Sequence, residues 1–381
     1  MDEFNIWDLE RVHIRIRETF FDKLIKEIDS KFKSRRDFYN GVFKSKTLPF
    51  STFRNFLKKS HASNFFIPLE FYLKIVEKLG ISREELQENI ISYKTAGGIN
   101  FIENPILPIK INPIFDMLLA HHIGDGTVIN PKLGRLPYFG YRQFNEFYRV
   151  AYIKKIEQIF GNINFKNVNY FLKSTRPYCP PVLSTLFFKY YNLKIEDFLS
   201  DKARIPPLIF ENKERMLAVL IAFIIDEGHI DSTEIVINLK NKPLISDLGK
   251  FCDILGYEFR ITEAKSELVK GYVRLHILRK GMKKLYRDYL DLRKLYPIID
   301  LGWKGEKTST SFKIESRLII RTKGNAEFIF EILKKESLSV NQLAERINMT
   351  RQGVRYHIHN LLKQSKIKII DNQSLNWRYG I

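Results

Sequence analysis

The feature that most constrains this chain is a segment written twice. Leu118-Leu119-Ala120-His121-His122-Ile123-Gly124-Asp125-Gly126 and Leu220-Ile221-Ala222-Phe223-Ile224-Ile225-Asp226-Glu227-Gly228 lie 102 positions apart, each an apolar run closing on an acid and a glycine. Downstream, residues 145–161 align without a gap on 240–256 at an offset of 95, so the copies differ by one loop length. In each copy the apolar run is followed by strand-like alternation, Tyr138 to Phe144 and Glu234 to Leu239, and then by an amphipathic helix. Tyr272 to Leu278 reads as a further strand. The expected fold is α+β, one helix-and-strand unit used twice.

Helices apolar on most sides are buried, and the small residues Ala120 and Ala222 at matching places favour close packing of the two. Both runs end on an acid before Gly, the residue that best closes a helix, yet a carboxylate there meets the negative end of the helix dipole. Two such ends side by side gather Asp125, Glu227 and Asp226 around one point, where a cluster either raises its pKa values or binds a cation. Oxygen ligands favour Mg²⁺, with Ca²⁺ or Mn²⁺ as substitutes.

These paired segments resemble the motifs of the LAGLIDADG homing endonuclease family, as does Ile205-Pro206-Pro207 ahead of the second motif helix. The resemblance implies tandem αββαββα repeats about a pseudo-twofold axis, 114–212 and 213–315, with two saddle-shaped sheets holding duplex DNA in a monomer. It implies metal binding by Asp125 and Glu227, with Gly124 and Asp226 beside them, and hydrolysis of phosphodiester bonds, the cation acidifying water and stabilising the leaving oxygen. Asn145 and Lys240, paired by the duplication, fall where the family orders water near the scissile phosphate. Lys202 and Lys304 match lysines that stabilise phosphate charge, or are ordinary solvated lysines. His121 and His122 depart from the family's apolar pattern. His121, four residues before Asp125, is within reach of a shared metal, although hydrogen-bonded core histidines are the preferred reading.

The flanks carry other patterns. Residues 1–95 look helical and basic, without a strand pattern. A helix starting at Pro68 stops at Gly80; Ser82 and Glu85 open another ahead of Leu86, Ile90 and Ile91; and Phe50 to Lys59 carries Arg54, Lys58 and Lys59. Together they resemble small helix-turn-helix domains of the phage-repressor type, with a helical cap as the alternative. The Gly- and Pro-containing stretch 96–113 is expected to be a linker. Residues 322–381 read as a winged helix: a helix Asn325 to Lys335, a short one capped by Ser339, a turn at Ile347 to Met349, a third helix capped by Thr350, and a hairpin from Lys366 to Tyr379 that turns at Asp371 to Gln373. Its third helix would present Arg351, Gln352, Arg355, Tyr356 and His359 to bases, and its wing Lys366, Lys368 and Arg378 to phosphates, unless the module docks protein.

Composition agrees with a polyanionic partner. Sixty-three Lys and Arg against 43 Asp and Glu leave a formal +20, and the commonest partner offsetting such a surplus is nucleic acid. The two cysteines, Cys179 and Cys252, form no disulfide framework and suit a reducing cytoplasm, with nucleoid association when DNA is bound. No apolar run reaches the about 20 residues of a membrane span, and no secretory signal or intein junction is apparent. Duplex DNA is preferred over structured RNA, since no aromatic base-stacking module is visible. Two function classes follow: a Mg²⁺-dependent, site-specific double-strand DNA endonuclease, and a non-cleaving transcription regulator on the same scaffold, similar to certain bacterial sporulation regulators.

Overall fold

Short strands and helices alternate from the start of the chain. The computed structural model describes residues 3–43, 48–59, 65–129, 135–164, 177–198, 202–263, 271–313, 324–347, 349–371 and 377–381. The chain divides into two units, Met1–Gly305 and Glu306–Ile381.

The first unit opens with strands β1 (Glu3–Phe4) and β2 (Val12–Ile16), followed by helices α1 (Glu18–Lys31), α2 (Arg35–Val42) and α3 (Phe50–Lys59). Strand β3 (Ile67–Pro68) leads into α4 (Leu69–Leu79) and α5 (Arg83–Glu88), then strands β4 (Ile90–Thr95), β5 (Phe101–Glu103) and β6 (Ile109–Lys110). The expectation of a strand-free N-terminal region is overturned. Val12, Ile14 and Ile16 alternate inward along β2, a run too short to stand out in the sequence. Ile90 and Ile91, expected to continue a helix, instead start β4, because that helix ends at Glu88 with Asn89 as its cap. Gly80 does stop α4, at φ 76°, where its missing side chain relieves the left-handed backbone.

Residues 96–113 are not a plain linker either. Strand β5 joins β4, and β6 pairs with β1. The first copy of the duplication follows: α6 (Pro113–Ile123), β7 (Gly126–Ile129), β8 (Tyr138–Tyr141), α7 (Glu146–Phe160), β9 (Asn162–Asn164) and α8 (Pro181–Tyr191). Strand β9 completes an antiparallel sheet of order β3-β2-β4-β5-β9. N-terminal strands and the first copy therefore share one sheet, and the expected boundary near residue 95 separates no independent body.

The second copy contains α9 (Lys213–Glu227), β10 (Gly228–Ile230), β11 (Glu234–Leu239), α10 (Lys242–Leu255), β12 (Phe259–Glu263), β13 (Val273–Leu278) and α11 (Arg279–Leu295), followed by α12 (Trp303–Lys313). Its four strands form one antiparallel sheet, β10-β11-β13-β12. Ile235, Ile237, Leu275 and Ile277 are buried on one face, while Glu234, Asn238, Arg260, Thr262, Arg274 and His276 alternate onto the other. Motif helices α6 and α9 pack together at the centre. Their positions 113–122 and 216–225 are buried, which explains why neither shows a polar stripe.

In the second unit, α13 (Asn325–Lys335), β14 (Leu338–Ser339), α14 (Val340–Arg346), α15 (Arg351–Lys363), β15 (Lys368–Asp371) and β16 (Arg378–Gly380) enclose a core of Ile329, Leu333, Leu343, Val354, Ile358 and Leu361. Ser339 caps α14 in a reciprocal box with Gln342, and Thr350 Oγ1 caps α15 by accepting from the Gly353 amide. The sheet order is β14-β16-β15. The expected turn at Asp371 to Gln373 and residue Asn348 fall wholly or partly outside the described residues. No helix among the described residues is long and apolar enough to cross a membrane. Cys179 and Cys252 are free and buried, and burial pushes both thiols up to about 12.

Candidate functional site

The two copies end their motif helices differently. Glu227 is the last residue of α9, whereas α6 stops at Ile123 and leaves Gly124 and Asp125 in a turn. The glycines after the acids also differ from expectation. Neither adopts a positive φ; Gly228 sits at φ −80° and ψ 133°, and Gly126 opens β7. Their requirement is space. A Cβ on Gly126 would overlap the His122 carbonyl oxygen, and one on Gly228 that of Ile224.

Around these ends three carboxylates gather. Burial raises Asp125 to about 7, with the Asp226 charge adding to the shift and Lys304 and Arg142 opposing it. Burial likewise raises Glu227 to about 7, with Asp125 and then Asp226 contributing. Both remain partly open to solvent, as an acid that takes a ligand must be. Asp226 is different. Its side chain is fully buried and turned into the helix pair, where Oδ1 accepts from Tyr141 OH at 2.7 Å and Oδ2 lies 2.8 Å from His121 Nδ1. Burial raises this acid too, to about 7, against the pull of Tyr141, Lys155 and Lys304. With both oxygens engaged inside the protein, Asp226 links the helices rather than facing a ligand. Gly124 belongs to the same junction, since a Cβ there would come 3.3 Å from Asp226 Oδ2.

The histidines are core residues with partners. Burial lowers His121 well below its ordinary value, so its Nδ1–H donates to Asp226 while Nε2 faces the buried Lys155 ammonium at 3.4 Å. Lys155 is itself lowered to about 8 by burial. His122 stacks on Phe139 at 4.1 Å between ring centres and meets Tyr152 OH at 2.8 Å. Among the described residues, no set of three or more His, Cys, Asp or Glu side chains is arranged to hold a metal ion. Two carboxylates remain, oxygen donors that suit a hard cation keeping several waters.

The expected lysines and the polar pair stand in unlike surroundings. Lys304 donates to the carbonyls of Ile224, Ile225 and Gly228 at 2.8, 2.6 and 2.7 Å. All three protons are spent capping α9, so this lysine serves the helix end and the acids instead of a phosphate. Lys202 is exposed. Asn145 caps α7 by accepting from the Phe147 amide at 2.9 Å. Its counterpart is not Lys240, which is exposed over the Tyr272 ring at 5.2 Å, but Asn241, which accepts from the Leu244 amide and donates to the Ala203 carbonyl. The gapless alignment was one residue out at the cap, and Asn ahead of Lys242-Pro243 was the signal that could have shown it.

Sequence reasoning missed Tyr141, Gln143 and Lys155. Gln143 reaches Tyr141 OH at 3.4 Å and so extends the Asp226 network to the half-exposed rim. At the opposite end of the helix pair, buried Asp116 receives Arg215 through two bonds of 2.7 and 2.6 Å and the Tyr191 hydroxyl. In the second unit, Arg351, Gln352, Arg355, Tyr356 and His359 are all exposed on α15, and Lys366, Lys368 and Arg378 are exposed around the hairpin, with Lys366 lying just before β15.

No family model matches the chain, and no curated protein matches it. Among solved structures it is similar to mesophilic variants of the homing endonuclease I-DmoI, at 18% identity and TM-score 0.32 over 46% of this chain and 93% of that one. It is similar to the homing endonuclease I-WcaI bound to its DNA recognition sequence, at 13% identity and TM-score 0.33 over 46% and 80%. Full-length DUF199/WhiA from Thermatoga maritima aligns at 13% identity and TM-score 0.31 over 67% and 91%.

Proposed function

We propose that this chain is a sequence-specific DNA-binding protein of the LAGLIDADG type and a metal-dependent, site-specific double-strand DNA endonuclease. The observation that carries the reading is the meeting of Asp125 and Glu227, one acid from each copy of a duplicated unit, Glu227 at the end of α9 and Asp125 in the turn after α6. Asp125 and Glu227 would hold Mg²⁺. When bound, the cation would supply acidified water and neutralise charge at the phosphate. The chain's own part is to hold two partly desolvated carboxylates together, with Lys304 keeping their helix end intact and the His121–Asp226–Tyr141 links fixing one copy against the other. The open face of the four-stranded sheet, with Arg260, Thr262 and Arg274, would lie along the duplex. We read the second unit as a winged helix whose α15 enters a major groove.

The alternative is a transcription regulator that grips DNA without cutting it, favoured by the exposed Arg351, Gln352, Arg355, Tyr356 and His359 of α15, whose donors would suit base edges. Cleavage of a duplex library with Mg²⁺ or with chelator separates the two. Metal-dependent cuts lost in Asp125→Asn and Glu227→Gln support the enzyme. Tight, salt-sensitive binding without cuts, unchanged in those variants, refutes it and leaves the regulator.

A further inference from the structure

Helix α3 (Phe50–Lys59) has two unlike faces. Phe53 and Leu57 are buried, and aromatic contacts of Phe53 with Phe38 and Phe71, and of Phe56 with Phe71, fix the helix against α2 and α4. The other face presents Ser51, Arg54, Asn55 and Lys58, all exposed and spaced so that they share one side of the helix. No acid occurs anywhere on α3. Three basic residues on α1 and α2 are neutralised, Lys23 by Glu85, Lys31 by Glu27 and Arg35 by Asp29. Among the described residues neither Arg54 nor Lys58 forms an ion pair of this kind.

We propose that this face of α3 is an additional DNA-reading surface that enters the major groove of a duplex. The side chains match base edges in kind. Arginine pairs bidentately with guanine O6 and N7 and asparagine with adenine N6 and N7, while lysine and serine suit phosphate oxygens. A helix of 10 residues spans about 15 Å and fits a groove roughly 12 Å wide. Arg36, exposed on the first turn of α2 and packed over the Phe50 ring at 5.5 Å, stands beside α3 as a phosphate contact. A carboxylate of an acidic protein would pair with Arg54 bidentately, but as an acceptor only it would leave the adjacent Asn55 carbonyl without the donor that an adenine edge supplies. The proposal does not depend on cleavage by the acid pair, and it adds a recognised segment to those of the sheets and α15.

The test uses the full chain in chelator with a duplex library carrying a randomised core, sequenced after retention. Wild type, Arg54→Ala with Asn55→Ala, and Lys58→Ala are compared, with thermal unfolding as the control for folding of these surface variants. The expected result is a wild-type consensus containing a segment of a few base pairs that disappears in the double variant while the rest persists. On the wild-type consensus duplex the double variant binds roughly 10- to 100-fold more weakly, and on a duplex with that segment scrambled the two bind alike. Lys58→Ala lowers the slope of log affinity against log salt by about 0.9. An unchanged consensus and affinity in the double variant, as expected of a protein-docking face, overturns the proposal. So does a loss equal on all sequences, which would mean phosphate contact alone. Absence of Mg²⁺-dependent cutting would refute the nuclease and leave this result untouched.

Discussion

Replacing Asp125 by Asn should make the metal-free protein more stable at neutral and alkaline pH. The carboxyl is raised from its ordinary 3.8 to about 7 by burial and by Asp226. An acid whose folded pKa exceeds its unfolded one favours the folded state only while protonated, so it costs nothing below about pH 4. The cost grows as pH rises from 4 to 7 and is constant above. Three pH units at 1.36 kcal/mol each amount to about 4 kcal/mol, and solvent screening of this half-buried group roughly halves that, to about 2 kcal/mol. At roughly 2–4 °C per kcal/mol for a body of this size, Asp125→Asn should melt about 4–8 °C above wild type at pH 8 in chelator. The gain should vanish near pH 4. Saturating Mg²⁺ should raise wild type and leave the variant unmoved, by about 2.7 kcal/mol at a hundred times the dissociation constant. Calorimetry across pH 4–8 reads all of this. A variant no more stable than wild type at pH 8, or a gain independent of pH, would refute the reasoning.

Asp116→Ala strands the Arg215 guanidinium in the helix interface and should cost about 3–5 kcal/mol in chemical denaturation, more than an equally buried apolar truncation of similar size. Lys304→Met leaves three carbonyls at the end of α9 without their donor and should cost about 3 kcal/mol, with faster amide exchange across the last turn of that helix. Gly126→Ala forces a methyl against the His122 carbonyl and should destabilise by more than about 2 kcal/mol, whereas Gly97→Ala, with open space around it, should be governed by backbone strain alone. Arg351→Ala and Arg355→Ala should each weaken binding to a preferred duplex roughly tenfold, measured by fluorescence anisotropy at fixed salt.

What the sequence made legible was whatever rests on local chemistry or on repetition. Ser339 with Gln342 and Thr350 with Gly353 are caps written within four residues, and both appear where their spacing places them. The meeting of Asp125 and Glu227 was readable because two copies of one unit bring the same end of the same helix to the same place. Contacts that cross the chain left no local trace. Tyr141 and His121 reach Asp226 over 85 and 105 positions, and nothing in the spacing of Tyr141 distinguishes it from other aromatic residues of that strand. Strands of two to six residues, such as β3 and β4, show too few alternations to stand apart from a helix ending in isoleucines.

The duplication itself misled at the points where the copies have diverged. Glu227 ends a helix whose last carbonyls are held by Lys304, and the ammonium lies close enough to oppose the rise of all three acids. In the first copy, the lysine expected to correspond, Lys202, is exposed, and α6 unwinds before Gly124. Asp125 thus lies beyond the end of its helix, while Glu227 is the last residue of its own. The longer glutamate in the rigid position and the shorter aspartate in the turn give one cluster two unlike acids.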